Sequence, residues 1–339
     1  MASKRRLAGV DLELLDSILA ARGEPRFRAR QVWEWVARGA SSYAEMSNLP
    51  TELRSALTAE VPLSSLSFED EALASDGTQK ALLRTHDGRP LEAVLMRYRD
   101  GRRSLCLSSQ SGCPLTCTFC ATGRMKFGRN LTASEILDQA LHFRRQARVN
   151  HAVFMGMGEP LLNLDNVLAA CERLPDLGIA TSNTAISTVG WVPGIERLAR
   201  EGRPVRLALS LHAPEEALRS ELMPVNERYP LDEVLAACRD WHAARKREVF
   251  IEYLMLDGVN DRVEQAHALA DLLREPRNAF KVNLIPYNPT EAGFEGSTRA
   301  AIDAFRSTLE SRGLRATVRL TRGRDIDAAC GQLAVKAAA

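Results

Sequence analysis

The chain has 339 residues; 45% of them are hydrophobic, 26% are charged, and the formal net charge is +2. This composition is typical of soluble globular proteins, and so small a net charge does not by itself indicate a nucleic-acid partner. The basic residues 1–6 are not followed by an apolar segment, and no stretch reaches the apolar length of a membrane span. We therefore expect a cytoplasmic protein with no membrane partner.

The first sixty residues favour short helices. Leu15 and Ile18 share one face of a first helix, and Val32 and Val36 share one face of a second. A Gly-Glu-Pro sequence separates the two helices. We assign residues 1–75 to a small helical accessory domain.

The next segment favours a β-hairpin. Apolar runs at residues 81–83 and 93–96 lie on either side of Asp87-Gly88, a dipeptide that is typical of tight turns. We therefore predict a hairpin extension over residues 76–103.

From residue 104 onward, short apolar strands alternate with helical stretches, a rhythm that indicates an α/β fold with a parallel sheet. Strands are predicted at residues 104–108, 151–155, 183–187, 204–210, 248–255 and 281–286. Helices are predicted between them, for example at residues 134–147, 231–244, 262–273 and 298–311. Six βα units are fewer than the eight of a closed barrel. We assign residues 104–333 to this domain and residues 334–339 to a short tail.

Three cysteines fall within eight residues in the string Cys113-Pro-Leu-Thr-Cys117-Thr-Phe-Cys120. Three thiolates suit a [4Fe–4S] cluster whose fourth iron stays open, because thiolate sulfur is the usual ligand and no fourth Cys lies at short spacing. The open iron could bind S-adenosylmethionine through its amine and carboxylate. An electron delivered there would break a C–S bond and release a primary carbon radical. The spacing therefore predicts a cluster held by these three thiols.

Other uses of the cysteines are less favoured. A disulfide framework requires an oxidising compartment and is typical of small chains. A zinc site normally has a fourth ligand nearby, often in a second C-x2-C pair, and zinc stays the main alternative to a cluster. Cys171 and Cys238 lie in apolar helical contexts, so we expect them to serve packing.

Glycine and polar residues follow the predicted strands, where the reactive groups of parallel α/β folds gather. Gly158 would let the backbone approach a ligand, and Glu159 could receive the ammonium of a methionine moiety. Without the cluster, a simple βα turn would be the preferred explanation of Gly158, and His212 on its own could equally be a core histidine. The other polar positions in this set are Ser187, Ser210 and Asn288.

In combination, these motifs resemble the bacterial dual-specificity RNA adenosine-C2 methyltransferases of the radical S-adenosylmethionine superfamily. The resemblance extends over residues 26–333 and also rests on residues 105–113, 283–289 and 325–333. It implies an open (β/α)6 partial barrel with an accessory domain that docks RNA. It implies S-adenosylmethionine contacts from Gly158, Glu159, Ser187, Ser210, Leu211, His212 and Asn288.

The resemblance also assigns covalent roles to side chains outside the cluster motif. The Cys330 thiolate takes a methyl group from one S-adenosylmethionine. A second molecule is cleaved at the cluster, so that two are used per turnover. The carbon radical formed on the S-methyl group adds to adenine C2 and crosslinks protein and RNA. Glu92 is the implied base for the C2 proton, and Cys106 attacks the Cys330 sulfur, which releases the product and leaves a Cys106–Cys330 disulfide.

The implied substrates are an adenosine in the peptidyl transferase centre of large-subunit ribosomal RNA and the adenosine 3′ of the anticodon in a subset of transfer RNAs. The implied protein partner is an electron donor such as flavodoxin or ferredoxin, and the expected state is a monomer. Three arginine clusters favour RNA, although a solvated surface explains any one of them. They are Arg26, Arg28 and Arg30; Arg97, Arg99, Arg102 and Arg103; and Arg312, Arg315, Arg319, Arg322 and Arg324.

Two other functions stay open at this point. One is a related adenosine-C8 methyltransferase that confers resistance to ribosome-targeting antibiotics. The other is a metal-stabilised RNA-binding protein without catalysis. Residues 125–131 and the helical module look closer to the C2 enzymes than to the C8 enzymes.

Overall fold

The structure, a computed structural model, describes residues 12–333, so residues 1–6 and the tail 334–339 lie outside the described residues. The described α-helices are α1 Leu12–Ala21, α2 Phe27–Arg38, α3 Thr51–Glu60, α4 Ala133–Gln146, α5 Leu164–Arg173, α6 Val192–Glu201, α7 Glu216–Leu222, α8 Leu231–Arg245, α9 Val263–Leu273 and α10 Arg299–Ser311. The described strands are β1 Leu66–Leu73, β2 Gln79–Thr85, β3 Pro90–Arg97, β4 Arg103–Cys106, β5 Gln110–Ser111, β6 Arg129–Asn130, β7 His151–Phe154, β8 Thr184–Thr188, β9 Arg206–Ser210, β10 Val249–Met255, β11 Phe280–Pro286 and β12 Ala316–Val318.

Helices α1 to α3 form the N-terminal module, which confirms the prediction of short helices. Leu15, Val32 and Val36 are fully buried in it, as their helical spacing predicts. Trp33 is also buried, and its Nε1 donates a hydrogen bond to Asp176 Oδ2 at 2.7 Å, beyond α5. The module is therefore packed against the α/β part of the chain.

The predicted hairpin is present as β2 and β3, but a third strand precedes it. Residues 66–73, which the sequence assigns to the helical domain, form β1 antiparallel to β2. The strand lies at the edge of the sheet and is largely exposed, so its polar, acidic sequence lacks the apolar pattern of a buried strand. The domain boundaries at residues 75, 103 and 333 stay a prediction.

A single ten-stranded sheet runs through the molecule in the order β1-β2-β3-β4-β7-β8-β9-β10-β11-β12. From β4 to β12 in this order, each strand pairs in parallel with the next, and the six predicted strands among them are confirmed. Strands β5 and β6 form a separate antiparallel pair. Strand β12 was not predicted, because three residues carry too little pattern. Among the described strands, β12 pairs with β11 alone, so the parallel part is an open partial barrel.

Local sequence signals fix the helices that connect these strands. In α4 the Thr132 side chain accepts a hydrogen bond from Glu135 N, while the Glu135 carboxylate accepts one from Thr132 N, which forms a capping box. The buried Glu135 also binds Arg129 of β6 through two hydrogen bonds. This fixes the segment that follows the cysteine loop. No helix within residues 12–333 is both long enough and apolar enough to cross a bilayer.

Replacing Trp33 with Ala should destabilise the protein by about 3–5 kcal/mol, because a buried indole and its bond to Asp176 are lost. Trp35→Ala is the matched control: Trp35 is only partly buried, and its Nε1 bonds to Asn48 inside the N-terminal module. Thermal unfolding midpoints of the two variants provide the comparison. Equal losses for both would show that the contact with Asp176 does not hold the module in place.

Candidate active site

A cavity opens at the carboxyl ends of the parallel strands and contains about 940 Å³ of space free of protein atoms. The predicted site residues that line it are Cys113, Cys117, Cys120, Gly158, Glu159, Ser187, Ser210, His212 and Cys330. The parallel sheet thus brings together residues that are more than 200 positions apart in the sequence.

The three closely spaced cysteines lie on a loop that follows β5. Within the loop, Cys120 N donates to Cys117 O at 3.2 Å, and Thr118 N donates to Leu222 O at 3.0 Å, which ties the loop to the end of α7. All seven cysteines of the chain are free thiols in this structure, so the implied Cys106–Cys330 disulfide is not present.

The pKa of all three loop thiols is raised, to about 12 for Cys113, chiefly because they are buried and in smaller part because negative charges lie nearby. A bound cation reverses this effect, because a coordinating thiol is deprotonated. Within residues 12–333, no three His, Cys, Asp or Glu side chains converge closely enough to hold a single metal ion. The three thiols instead surround one cavity, and a [4Fe–4S] cluster is held by separate thiolates. This donor set fits such a cluster.

The glycine-rich turn after β7 packs directly against the β5 segment. Gly158 has φ +96°, and a Cβ there would lie 2.4 Å from the Gln110 side chain, so only glycine fits. The buried Glu159 accepts hydrogen bonds from Leu161 N and Val189 N, both at 3.0 Å. Burial raises the pKa of Glu159 to about 7, and these backbone bonds oppose that shift. The carboxyl group therefore joins the turns after β7 and β8.

His212 adopts a left-handed conformation with φ +62° just after β9. Its Nδ1 accepts a hydrogen bond from Leu254 N at 3.0 Å, and burial, followed by the charge of Arg219, lowers its pKa to about 3. The ring is therefore neutral, with its proton on Nε2. Ser187 Oγ and Ser210 Oγ lie 3.4 Å apart on the wall of the same cavity.

Asn288 and Leu211 occupy different surroundings from the residues above. Asn288 is 2% exposed, and among the described residues its Oδ1 has no hydrogen-bond partner. Leaving a buried acceptor unsatisfied is costly, so a ligand that donates a hydrogen bond there would stabilise the site. Leu211 is fully buried in the core and does not line the cavity.

Arg219 has a positioning role that the sequence did not predict. Its side chain is fully buried; Nε donates to Leu211 O at 3.2 Å and Nη2 donates to Val189 O at 2.6 Å. It also donates to the side chain of Asn226. The turns after β8 and β9 are thereby joined beneath the cavity. A lone arginine in a short helix gives no sequence signal for this role.

A second, smaller cavity adjoins the first. It is lined by Cys106 and Asn288, and Cys330 lines both cavities. Burial, followed by the proximity of Cys330, raises the pKa of Cys106 to about 12. The structure therefore brings the two thiols together at the junction of the two cavities.

Glu92 lies in β3, beside the strand that carries Cys106. Val94 pairs with Cys106 across β3 and β4, and Glu92 is two residues before Val94, so all three residues belong to the same face of the sheet. Glu92 is buried, and its Oε1 lies 3.0 Å from Lys80 Nζ.

The last arginine cluster is largely engaged in ion pairs within the protein. Arg319 lies 3.5 Å from Glu252 Oε2, and the charge of Cys330 is the first cause of its raised pKa. Arg322 lies 3.6 Å from Asp76. The remaining pairs are Arg312 with Asp271 and Arg315 with Glu248. An RNA contact by these side chains stays a prediction.

Comparisons with known proteins agree with this geometry. Residues 107–270 match the family model of the radical SAM superfamily, and residues 6–62 match the ribosomal RNA large subunit methyltransferase N-terminal domain. A crystal structure of a radical SAM methyltransferase from Sphaerobacter thermophilus superposes with a TM-score of 0.90 at 44% identity, covering 98% of this chain and 99% of the other. The fold and the cysteine loop therefore define a radical SAM protein.

Two curated relatives narrow the assignment. The dual-specificity RNA methyltransferase RlmN of Pelobacter propionicus is 44% identical over 98% of this chain and 96% of its own length. The probable dual-specificity RNA methyltransferase RlmN of Thermus thermophilus is 45% identical over 99% of this chain and 96% of its own length. The chain belongs to the RlmN family of radical SAM RNA methyltransferases.

Replacing Cys113, Cys117 or Cys120 with Ala should remove the iron–sulfur absorbance of anaerobically reconstituted protein, because we expect each of these thiolates to hold one iron. Iron and sulfide content, with the visible spectrum, provides the measurement. Cys171→Ala is the matched control, since this buried cysteine lies in α5 and should leave the cluster content unchanged. Full cluster content in any of the three loop variants would overturn the ligand assignment.

Proposed function

We propose that this protein methylates C2 of adenosine in large-subunit ribosomal RNA and in transfer RNA, with Cys330 as the methyl carrier. The observation that carries the proposal is the position of Cys330 at the wall of both cavities. The first cavity holds the cysteine loop, and the second holds Cys106. A thiol at their junction can receive a methyl group in the first cavity and can react with the target base in the second.

In this proposal the first cavity holds the cluster and S-adenosylmethionine. Cys113, Cys117 and Cys120 bind the cluster, which together with S-adenosylmethionine supplies a 5′-deoxyadenosyl radical. The proposed cofactor contacts on the wall of this cavity come from Gly158, Glu159, Ser187, Ser210 and His212. Asn288, on the wall of the adjoining second cavity, and the buried Leu211 complete the set that the resemblance implies. Arg219 and the Glu159 carboxyl group keep the turns that carry these residues in register.

The second cavity receives the target base. Cys330 Sγ carries the methyl group to the base, and after the 5′-deoxyadenosyl radical has removed one hydrogen atom from that group its carbon becomes linked to adenine C2. Glu92 accepts the C2 proton. Cys106 Sγ, as a thiolate, then bonds to Cys330 Sγ while the bond between that sulfur and the carbon breaks. The released carbon takes up one proton to complete the methyl group, the one surplus electron would pass to the cluster, and a Cys106–Cys330 disulfide remains while the methylated base leaves. Each turnover consumes two molecules of S-adenosylmethionine.

The proposal includes the setting of the reaction. The protein acts in the cytoplasm as a monomer, with flavodoxin or ferredoxin as the electron donor. The target positions are the adenosine of the peptidyl transferase centre and the adenosine 3′ of the anticodon in a subset of transfer RNAs. The curated relatives are named as dual-specificity RNA methyltransferases, so the C8 enzyme and the non-catalytic RNA-binding protein are not favoured.

The decisive experiment is anaerobic turnover with ribosomal RNA and transfer RNA that lack the modification, followed by nucleoside mass spectrometry. We expect 2-methyladenosine in both RNAs from the wild-type protein. Cys330→Ala should give none while keeping its cluster, because only the carrier is lost. A product methylated at C8, or no methylated base from cluster-loaded wild-type protein, would contradict the proposal.

Cys106→Ala should leave RNA covalently attached to the protein, because this variant still loads Cys330 but lacks the thiol that breaks the linkage. The measurement is a slowly migrating protein band that collapses on ribonuclease treatment. Cys238→Ala, which removes another fully buried cysteine, should show no such band. Free turnover by Cys106→Ala would leave that residue with a packing role only.

A further inference from the structure

We propose that Lys80 is a positioning residue that joins the Glu92 carboxylate to the loop that carries Cys330, so that removal of the C2 proton and docking of the carrier are coupled. We call residues 319–333 the carrier loop. The inference rests on the proposed function, because it uses the roles of Glu92 and Cys330 given above.

The carrier loop is held on its outer side by the connection between β1 and β2. Ser75 N donates to Asp325 Oδ2 at 2.8 Å, and Gly323 N donates to Asp76 Oδ2 at 3.1 Å. Arg322 forms an ion pair with the same Asp76 carboxylate at 3.6 Å. The connection between β1 and β2 therefore holds this side of the carrier loop in place.

The other side of the carrier loop is bonded to the cysteine loop. Ala121 N donates to Gly331 O at 2.9 Å, and Thr122 Oγ1 donates to Leu333 O at 2.5 Å. These bonds lie just after Cys120 in sequence. The segment around Cys330 is thus fixed between the cysteine loop and the hairpin.

Lys80, near the start of β2, contacts both the carrier loop and Glu92, the candidate general base. Its Nζ lies 3.0 Å from Glu92 Oε1 and donates to Asp327 O at 3.2 Å. The Lys80 side chain is 15% exposed and the Glu92 side chain 6%, so the pair is shielded from water and its Coulomb attraction is correspondingly strong. Asp327 is three residues before Cys330.

The register of the sheet places this contact beside the reacting thiols. Lys80 pairs with Val94 across β2 and β3, and Val94 pairs with Cys106 across β3 and β4. Directly paired residues present their side chains on the same face. Lys80, Glu92 and Cys106 therefore share one face of the sheet, which the carrier loop covers.

A functional coupling follows from this arrangement. While Glu92 is ionised, Lys80 holds both the carboxylate and the Asp327 carbonyl. When Glu92 takes the C2 proton, the carboxyl group becomes neutral and its attraction for Lys80 falls. Lys80 is then no longer fixed beside Glu92, so its bond to the Asp327 carbonyl weakens and the carrier loop loosens. The next step is the one in which Cys330 exchanges its bond to carbon for a bond to the Cys106 sulfur.

Lys80→Met removes the ammonium group and keeps an unbranched side chain. We expect this variant to keep its cluster and its methylated Cys330. It should accumulate the ribonuclease-sensitive RNA adduct, because the Glu92 carboxylate, the proposed proton acceptor, is no longer held in place. Lys80→Arg should restore turnover in part. Lys281→Met is the matched control, since Lys281 lies on strand β11 near the end opposite the cavity.

Amide hydrogen exchange provides a readout that does not depend on turnover. In Lys80→Met, exchange at residues 322–330 should be about tenfold faster, the effect of losing one charge-assisted hydrogen bond. Coupling is reciprocal, so Glu92→Gln should also accelerate exchange there while Lys80 is intact. This second variant keeps the inference testable if Lys80→Met does not fold.

The outcomes separate this inference from the proposed function. If wild-type protein forms 2-methyladenosine but Lys80→Met turns over at the same rate without adduct, the inference fails and the function stands. If amide exchange at residues 322–330 is unchanged in Glu92→Gln, the proposed coupling between Glu92 and the carrier loop is contradicted. Absence of product from wild-type protein would contradict the proposed function instead.

Discussion

The parallel order of the strands from β4 to β12 is the constraint on which the site depends. Every segment that follows one of these strands leaves the sheet at the same edge, and the cavity lies at that edge. The three loop cysteines, the glycine-rich turn and His212 come from three different connections along the chain, and Ser187 and Ser210 come from the ends of β8 and β9. The sheet alone places them around one space, and buried groups such as Arg219 and Glu159 then bond those connections to one another.

The sheet also separates reactive groups that strand pairing holds in place from a reactive group that lies on a loop. Glu92 and Cys106 lie on neighbouring strands of one hydrogen-bonded sheet, so the distance between them is set by strand pairing. Cys330 comes from a loop that is held by side-chain and backbone contacts at both ends. The proposed carrier role of Cys330 requires this difference, because Glu92 and Cys106 must stay in place while the Cys330 sulfur changes its bonding partner.

Much of this organisation could be predicted from the sequence because it is encoded locally. The strands and helices of the α/β part have clear periodicity, and the C-x3-C-x2-C spacing indicates its ligand set without any structure. Strand β1 could not be predicted, since an exposed edge strand needs few apolar residues. The contacts of Arg219 and the proposed role of Lys80 could not be predicted either, because each depends on partners that only the folded chain brings near. The arginines before Cys330 suggested RNA contacts, yet several have internal acidic partners, which a charge count cannot reveal.

The continuity of the sheet between β3 and β4 also limits how the chain can change its length. An extra residue in the turn at residues 98–102 lies outside the β3 positions that pair Val94 with Cys106, and it would leave that register intact. An extra residue between Glu92 and Val94 would turn the carboxylate to the opposite face of the sheet, away from Lys80 and Cys106. Length variation is therefore tolerated in the turn and excluded within the strand.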